Sequence, residues 1–318
     1  MSLPYKDRSG GLICFGILLI LLGLLCLLLA AVSGLSMWMA MRNPEAAAVM
    51  KPAMVLAAVG VYLALSLLFL WLGIGSLMAR RWAAALLHVL SLLWLIGGTG
   101  GMAMMINMLV RMREQMEAAG GPGGRGAMVV ALIFSAVVMF IGYVLIPGAI
   151  WLFYRSPHVT ATCAAKDTRE RWTDRCPRPV LGAAVGMFLV GLCTANSTMY
   201  ALAPFFGRLL TGPVAIAVML GTGLLLLAGS FLIYRLRMAG WWIATVLLFL
   251  WTVSSIVTFQ LVEPSAWLEA MNMPVQEEAK PFLLASFGKQ MGAWVAIGSC
   301  AMAAFLLYVK KYLQPPEA

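Results

Sequence analysis

All 34 charged side chains of this 318-residue chain lie outside eight long apolar stretches that make up most of it. An ionisable group at the centre of a bilayer costs roughly 2.5 to 3.5 kcal/mol on insertion scales, so chains keep one there chiefly for ion coupling, proton relay or chemistry. About 20 apolar residues are needed to cross the hydrocarbon core as helix. The stretches 11–32, 53–78, 82–105, 127–154, 180–200, 214–234, 241–261 and 291–309 all supply this. With 63% hydrophobic and 11% charged residues, the composition lies far from that of a soluble globular domain. The predicted fold class is all-α, a polytopic membrane helical bundle of eight transmembrane helices.

Lys6 and Arg8 precede the first stretch as they would a secretory signal, but its apolar run exceeds the roughly 7 to 15 residues of a signal core, so a retained helix is expected. Cytoplasmic loops carry the excess of Lys and Arg. Placing the amino terminus inside puts 14 of the 22 basic residues inside and 8 outside, with net charges of +9 and +1. Both termini are therefore expected in the cytoplasm. Trp82, Trp151, Tyr154, Tyr234, Trp241, Trp242, Tyr308 and Tyr312 fall at the predicted inner ends, as an aromatic belt requires. The basic balance then reflects topology and attraction to anionic lipid headgroups on the cytoplasmic face. No soluble basic module exists to hold a nucleic acid, and none is expected as a partner. Cys14, Cys26, Cys193 and Cys300 lie within spans, and Cys163 and Cys176 lie on a loop assigned to the reducing side, so all six cysteines are expected as free thiols.

The loops suggest two four-helix halves, residues 1–154 and 180–318, joined by a basic cytoplasmic loop, 155–179. Ala79-Arg80-Arg81-Trp82 and Arg235 to Trp242 are matching tight turns, each with two arginines and a tryptophan opening the next helix. Halves of four helices would be parallel repeats rather than inverted ones. Pro147-Gly148 predicts a kink in the fourth span. Gly97 with Gly101, and Gly182 with Gly186, have the small-residue spacing of close helix contacts. Pro264 to Leu268 reads as a helix start capped by Ser265, with Trp267, Leu268 and Met271 on a face suited to the outer interface.

The most distinctive stretch runs from Tyr154-Arg155-Ser156-Pro157 to Trp172-Thr173-Asp174-Arg175-Cys176-Pro177. It resembles a segment of a group of uncharacterised bacterial multi-spanning inner-membrane proteins, in which a YRSP-type helix end leads to a WTDRCP-type re-entry. The Arg-Arg-Trp-Ala turn at Arg80 to Ala83 is a weaker second likeness. The resemblance implies a bacterial inner-membrane location and carries no activity. Physically, Trp172 and the prolines would seat the loop at the headgroups. Arg155, Arg171, Arg175 and Arg178 would contact lipid phosphates or a protein partner, and Asp174 would pair with Arg175 or Arg178.

Candidates for chemistry are few. His158, Cys163 and Cys176, with Asp167 or Asp174, contain metal-ligand types, but their spacing lacks the two close pairs of a structural zinc site. His88 is the sole histidine in any span, one short of a bis-histidine haem. Met105, Met108, Met112 and Met116 recur at near-helical spacing without a cysteine or histidine to complete a copper site. No metal or cofactor is expected. Thr194, Asn196, Ser197 and Thr198 in the fifth span, with Ser254, Ser255 and Gln260 in the seventh, cluster in the outer half and would either line a polar cavity or bond between helices. No paired carboxylates, nucleophile with histidine, or phosphate-cradling motif is present, so no enzyme is expected. The sequence favours an accessory or scaffolding component that interacts with membrane proteins or lipids, with a membrane-protein partner or a homo-oligomer. The alternative is a facilitator or transporter of a neutral or lipid-like solute.

Overall fold

A computed structural model describes residues 6–42, 52–118, 125–271 and 289–313. Among the described residues, eight helical runs are long and apolar enough to cross a membrane, one of them the composite run Ile133–Tyr154. The helical elements are α1 (Ser9–Met41), α2 (Pro52–Leu77), α3 (Arg81–Ala118), α4 (Arg125–Phe140), α5 (Ile146–Tyr154), α6 (Pro157–Lys166), α7 (Trp172–Arg175), α8 (Arg178–Asn196), α9 (Gly212–Tyr234), α10 (Met238–Leu261), α11 (Pro264–Met271) and α12 (Lys289–Lys310). Two helices outrun their apolar segments. α1 continues to Met41 and α3 to Ala118, because no proline lies between the end of either apolar run and those residues. Residues 120–124 and the carboxylates Glu277 and Glu278 lie outside the described residues.

The chain divides into two compact units, Met1–Leu92 with Gly148–Arg178, and Leu93–Pro147 with Pro179–Ala318. In the first unit, α1 and α2 approach through glycines. A Cβ on Gly16 would lie 3.1 Å from the Gly73 carbonyl oxygen, and one on Gly73 would lie 2.9 Å from the Gly16 carbonyl oxygen. The Ser76 hydroxyl donates to the Leu12 carbonyl (2.8 Å) and meets the Tyr154 hydroxyl, so one small polar side chain stitches three elements. Leu12, Leu19, Leu72, Ile150 and Tyr154 are almost fully buried around it.

In the second unit, Gly191 of α8 and Gly223 of α9 face one another's carbonyl oxygens at 3.1 and 3.0 Å from a built Cβ. The sequence-chosen glycines differ. Gly97 and Gly101 have nothing within 4 Å of a Cβ and one on Gly186 would make only ordinary contact, whereas a Cβ on Gly98 would lie 2.5 Å from the Tyr143 carbonyl oxygen. The expected kink explains that approach. Between α4 and α5, residues Ile141–Leu145 form a π-helical turn, closed by the Ile146 N–H on the Ile141 carbonyl. Pro147 has no N–H for the Tyr143 carbonyl four residues before it, and the widened turn presents that carbonyl to the bare backbone of Gly98.

The two tight basic turns close alike. After α2, Ala79 takes a left-handed conformation (φ 48°), with Arg80 N–H on Gly75 O and Ala79 N–H on Ser76 O, both 2.9 Å. After α9, Leu236 does the same (φ 58°), with Arg237 N–H on Leu232 O at 2.9 Å and Leu236 N–H on Ile233 O at 2.8 Å. Each is a Schellman closure with a side chain where glycine is usual.

Between α8 and α9 lies a feature that periodicity did not predict. A 3-10 turn, Ser197–Tyr200, leads into an antiparallel hairpin of β1 (Leu202–Phe205) and β2 (Arg208–Thr211), with Leu202 opposite Thr211 and Phe205 opposite Arg208. Its two-residue turn holds Phe206 at φ 42° and Gly207 at φ 88°, the positive pair of a type I′ hairpin. α11 begins at Pro264, so Ser265 lies inside the helix rather than capping it. Trp267 does not face outward but is 5% exposed and stacked on Phe259 at 4.7 Å. The Met271 side chain lies outside the described residues.

Candidate lipid and partner surface

The expected loop is a folded cap on the first unit. α6 starts at Pro157 after Ser156 in extended conformation and buries Val159, Thr162 and Cys163, spaced to share one helical face. That face receives the amino-terminal segment. Arg8 N–H donates to Thr162 Oγ1 (3.1 Å), Lys6 N–H to His158 Nδ1 (3.4 Å), and the Lys166 ammonium to the Ser9 hydroxyl.

Asp167 is the clasp of this cap. It is 3% exposed, accepts the Arg81 N–H (3.3 Å) and the Arg169 N–H (3.4 Å), and pairs with the Arg80 guanidinium at 3.4 Å. Burial acts to raise its pKa, but the backbone bonds from Arg81 and Arg169 and the charges of Arg80 and Arg171 outweigh it, and the pKa is lowered. Because the folded pKa is depressed, the contribution of Asp167 to stability is full above the ordinary carboxylate range and is lost as pH falls through its folded value. Asp167→Ala leaves the two N–H groups without that acceptor, and the expected cost is about 1 to 3 kcal/mol in thermal unfolding at neutral pH, shrinking toward nothing in acid.

α7 is a single turn whose Asp174 carboxylate accepts the Arg171 N–H at 2.8 Å. Asp174 thus caps a backbone. Its Oδ1 is buried with no partner among the described residues. Arg178 donates to Thr160 Oγ1 (3.2 Å) and is exposed, as is Arg155, whose guanidinium lies 4.7 Å over the Trp151 ring. Arg171 is half-buried, 5.9 Å over the Trp82 ring, and Trp172 is exposed. The Arg175 side chain is outside the described residues. The cap and the segments it ties down carry ten basic residues, Lys6, Arg8, Arg80, Arg81, Arg155, Lys166, Arg169, Arg171, Arg175 and Arg178, against four acidic ones, a net +6.

Among the described residues, no three of His, Cys, Asp and Glu come together as a metal site. Cys163 and Cys176 are both buried. Burial pushes each thiol up to about 11, with Asp167 adding to the rise at Cys163. At pH 7 the thiolate is then on the order of one part in ten thousand. A water-soluble maleimide is expected to leave both unlabelled in the folded protein and to label both after denaturation, as read by peptide mass spectrometry.

The polar residues of the second unit separate into three groups. Thr194, Ser197 and Thr198 bond back to carbonyls of their own segment, at Val190, Cys193 and Ala195. Asn196 and Gln260 are exposed, and Ser255 is buried. Ser254 holds the hairpin, accepting the Phe206 N–H and donating to the Pro204 carbonyl, both at 3.0 Å. Thr258, fully buried, accepts the Gly207 N–H at 3.1 Å and donates to the Ser254 carbonyl at 2.7 Å. The sequence offered no strong sign of Asp167 as a clasp or of the hairpin. Comparison with family models, curated proteins and solved structures gave no match.

Proposed function

We propose that this polytopic membrane protein is a non-enzymatic accessory or scaffolding component of a bacterial inner membrane, holding protein partners or anionic lipids against its basic end. The observation that carries this reading is the cap. A net +6 is gathered on segments ordered by buried Asp167, the buried face of α6 and the clasped amino terminus. A disordered basic loop would need none of these bonds. Charge asymmetry between loops supports placing this end, with both chain termini, in the cytoplasm, where anionic headgroups attract about 1 kcal/mol per basic residue near the surface. The eight spans, free of charge in their interiors, lack the groups an ion-driven pump would use.

The test is isolation of the tagged protein from its native membrane in mild detergent, with mass spectrometry of what remains after stringent washing and an untagged control. A stoichiometric protein partner, lost on Arg171→Gln and Arg178→Gln substitution, is the expected result. A lone chain that retains a neutral small molecule would replace this reading with that of a facilitator.

A further inference from the structure

We infer that His88, Trp151, Arg155 and Arg178 form a site in the first unit for one phosphate-bearing anion, of the kind a phospholipid headgroup supplies; this rests on the lipid-contact reading of the basic end and makes it local. The starting observation is a pair of polar atoms without partners. His88 Nδ1 and Trp151 Nε1 are both buried and neither has a hydrogen bond among the described residues. Buried polar groups are nearly always bonded, and two exceptions on adjoining rings, 6.5 Å between centroids, are unusual.

The chemistry of the missing partner follows from the donors around it. An indole N–H can only donate, so Trp151 calls for an acceptor. His88 can meet the same acceptor through its Nδ1–H tautomer. Arg155 lies 4.7 Å over the Trp151 ring, and the charges of Arg178 and Arg155 both act on His88. Neither guanidinium has a carboxylate partner among the described residues; Asp167 holds Arg80 and the Arg81 N–H, and Asp174 holds the Arg171 N–H. A water molecule would satisfy the indole but not two cations. A phosphate presents several acceptor oxygens and negative charge together, which suits guanidinium forks.

Position favours a lipid as the source. Trp151 lies one turn from the end of its span at Tyr154, and His88 lies two turns from the start of its span at Arg81, roughly 10 Å along the axis at 1.5 Å per residue. The exposed Arg155 and Arg178 lead from that depth to the headgroup level, as in basic pockets between membrane helices. The Arg155 side chain overlies the indole, and its swing outward onto a phosphate opens the way to Nε1.

The experiment uses the full chain in nanodiscs of neutral phosphatidylcholine, titrated with a fluorescent phosphatidylglycerol and, separately, a fluorescent phosphatidylcholine. Wild type is expected to favour the anionic probe. Trp151→Phe, which keeps the ring and removes the N–H, is expected to weaken that probe about ten-fold while its melting temperature in neutral nanodiscs is held or raised. Arg155→Gln with Arg178→Gln is expected to abolish the preference, and Arg169→Gln, outside the site, to leave most of it. Inorganic phosphate that displaces the probe at millimolar concentration would keep the phosphate chemistry and move its source to a free ion. Unaltered binding in Trp151→Phe, or equal weakening by Arg169→Gln, would overturn the site while leaving a diffuse basic surface. No preference for the anionic probe in wild type would remove the site and the lipid-contact reading together.

Discussion

Gly240→Leu is expected to unfold far below the wild type in a thermal scan of the detergent-purified protein. A Cβ at this position would lie 2.6 Å from the Ile233 amide nitrogen and 2.7 Å from the Gly229 carbonyl oxygen. Both are backbone atoms in the last two turns of α9, which cannot step aside as a side-chain tip can. Overpacking of a well-filled site costs about 1 to 3 kcal/mol and sometimes more, and a backbone obstacle puts this substitution at or beyond the upper end. The tight turn makes it worse, because Leu236 already occupies a left-handed conformation with no slack to absorb a separation of the two helices. Gly97→Ala is the control. With nothing within 4 Å of its Cβ, it is expected to change stability by no more than about 0.5 kcal/mol. A Gly240→Leu protein melting like the control would mean that α9 and α10 do not pack as described.

The second large effect is expected from Ser254→Ala combined with Thr258→Val. These hydroxyls are the acceptors for the Phe206 and Gly207 N–H groups at the hairpin tip. Both bonds are part-buried, so losing each acceptor is expected to cost about 0.5 to 1.5 kcal/mol and the pair about 1 to 3 kcal/mol. Phe206 adds to the sensitivity. A left-handed conformation costs a residue with a Cβ roughly 1 to 2 kcal/mol, and without its tether the turn has reason to relax. Hydrogen exchange is the direct measurement, with faster exchange expected at Phe206 and Gly207 and little change at the opposite end of α10. Thr258→Ser, which keeps the oxygen, is expected to restore slow exchange at Gly207. Exchange that stays slow in the double variant would show that something else holds the turn.

The eight spans were legible because apolar length is a local property, readable from any window of 20 residues. What the sequence reading missed depends on partners far away in the chain. Spacing identified Gly97 and Gly101 but could not say which face of α3 meets a neighbour, and the face that does carries Gly98, opposite the carbonyl that Pro147 leaves without an N–H. Ser254 stood out as a polar residue in a span, yet its role depends on a turn 48 residues earlier. That turn was hidden because Phe206-Gly207 lacks the Asn-Gly or Asp-Gly signature of a type I′ hairpin. Asp167 looked like one more ligand candidate in a basic loop. Its bond to the Arg81 N–H spans 86 residues and has no trace in local pattern. Trp267 was placed by helical spacing on a face suited to the outer interface, and the stacking on Phe259 that buries it has no trace in that spacing.

The hairpin also sets a schedule for the ribosome. Its strands are synthesised about 50 residues before the hydroxyls that hold its tip, given separations of 48 and 51 residues. At roughly 5 to 20 residues per second, that interval lasts on the order of 3 to 10 s. During it the Phe206 and Gly207 amides at the hairpin tip have only water to bond. Only when α10 arrives do Ser254 and Thr258 hold that tip, so the second unit completes this connection after the helices on both sides of it have been delivered.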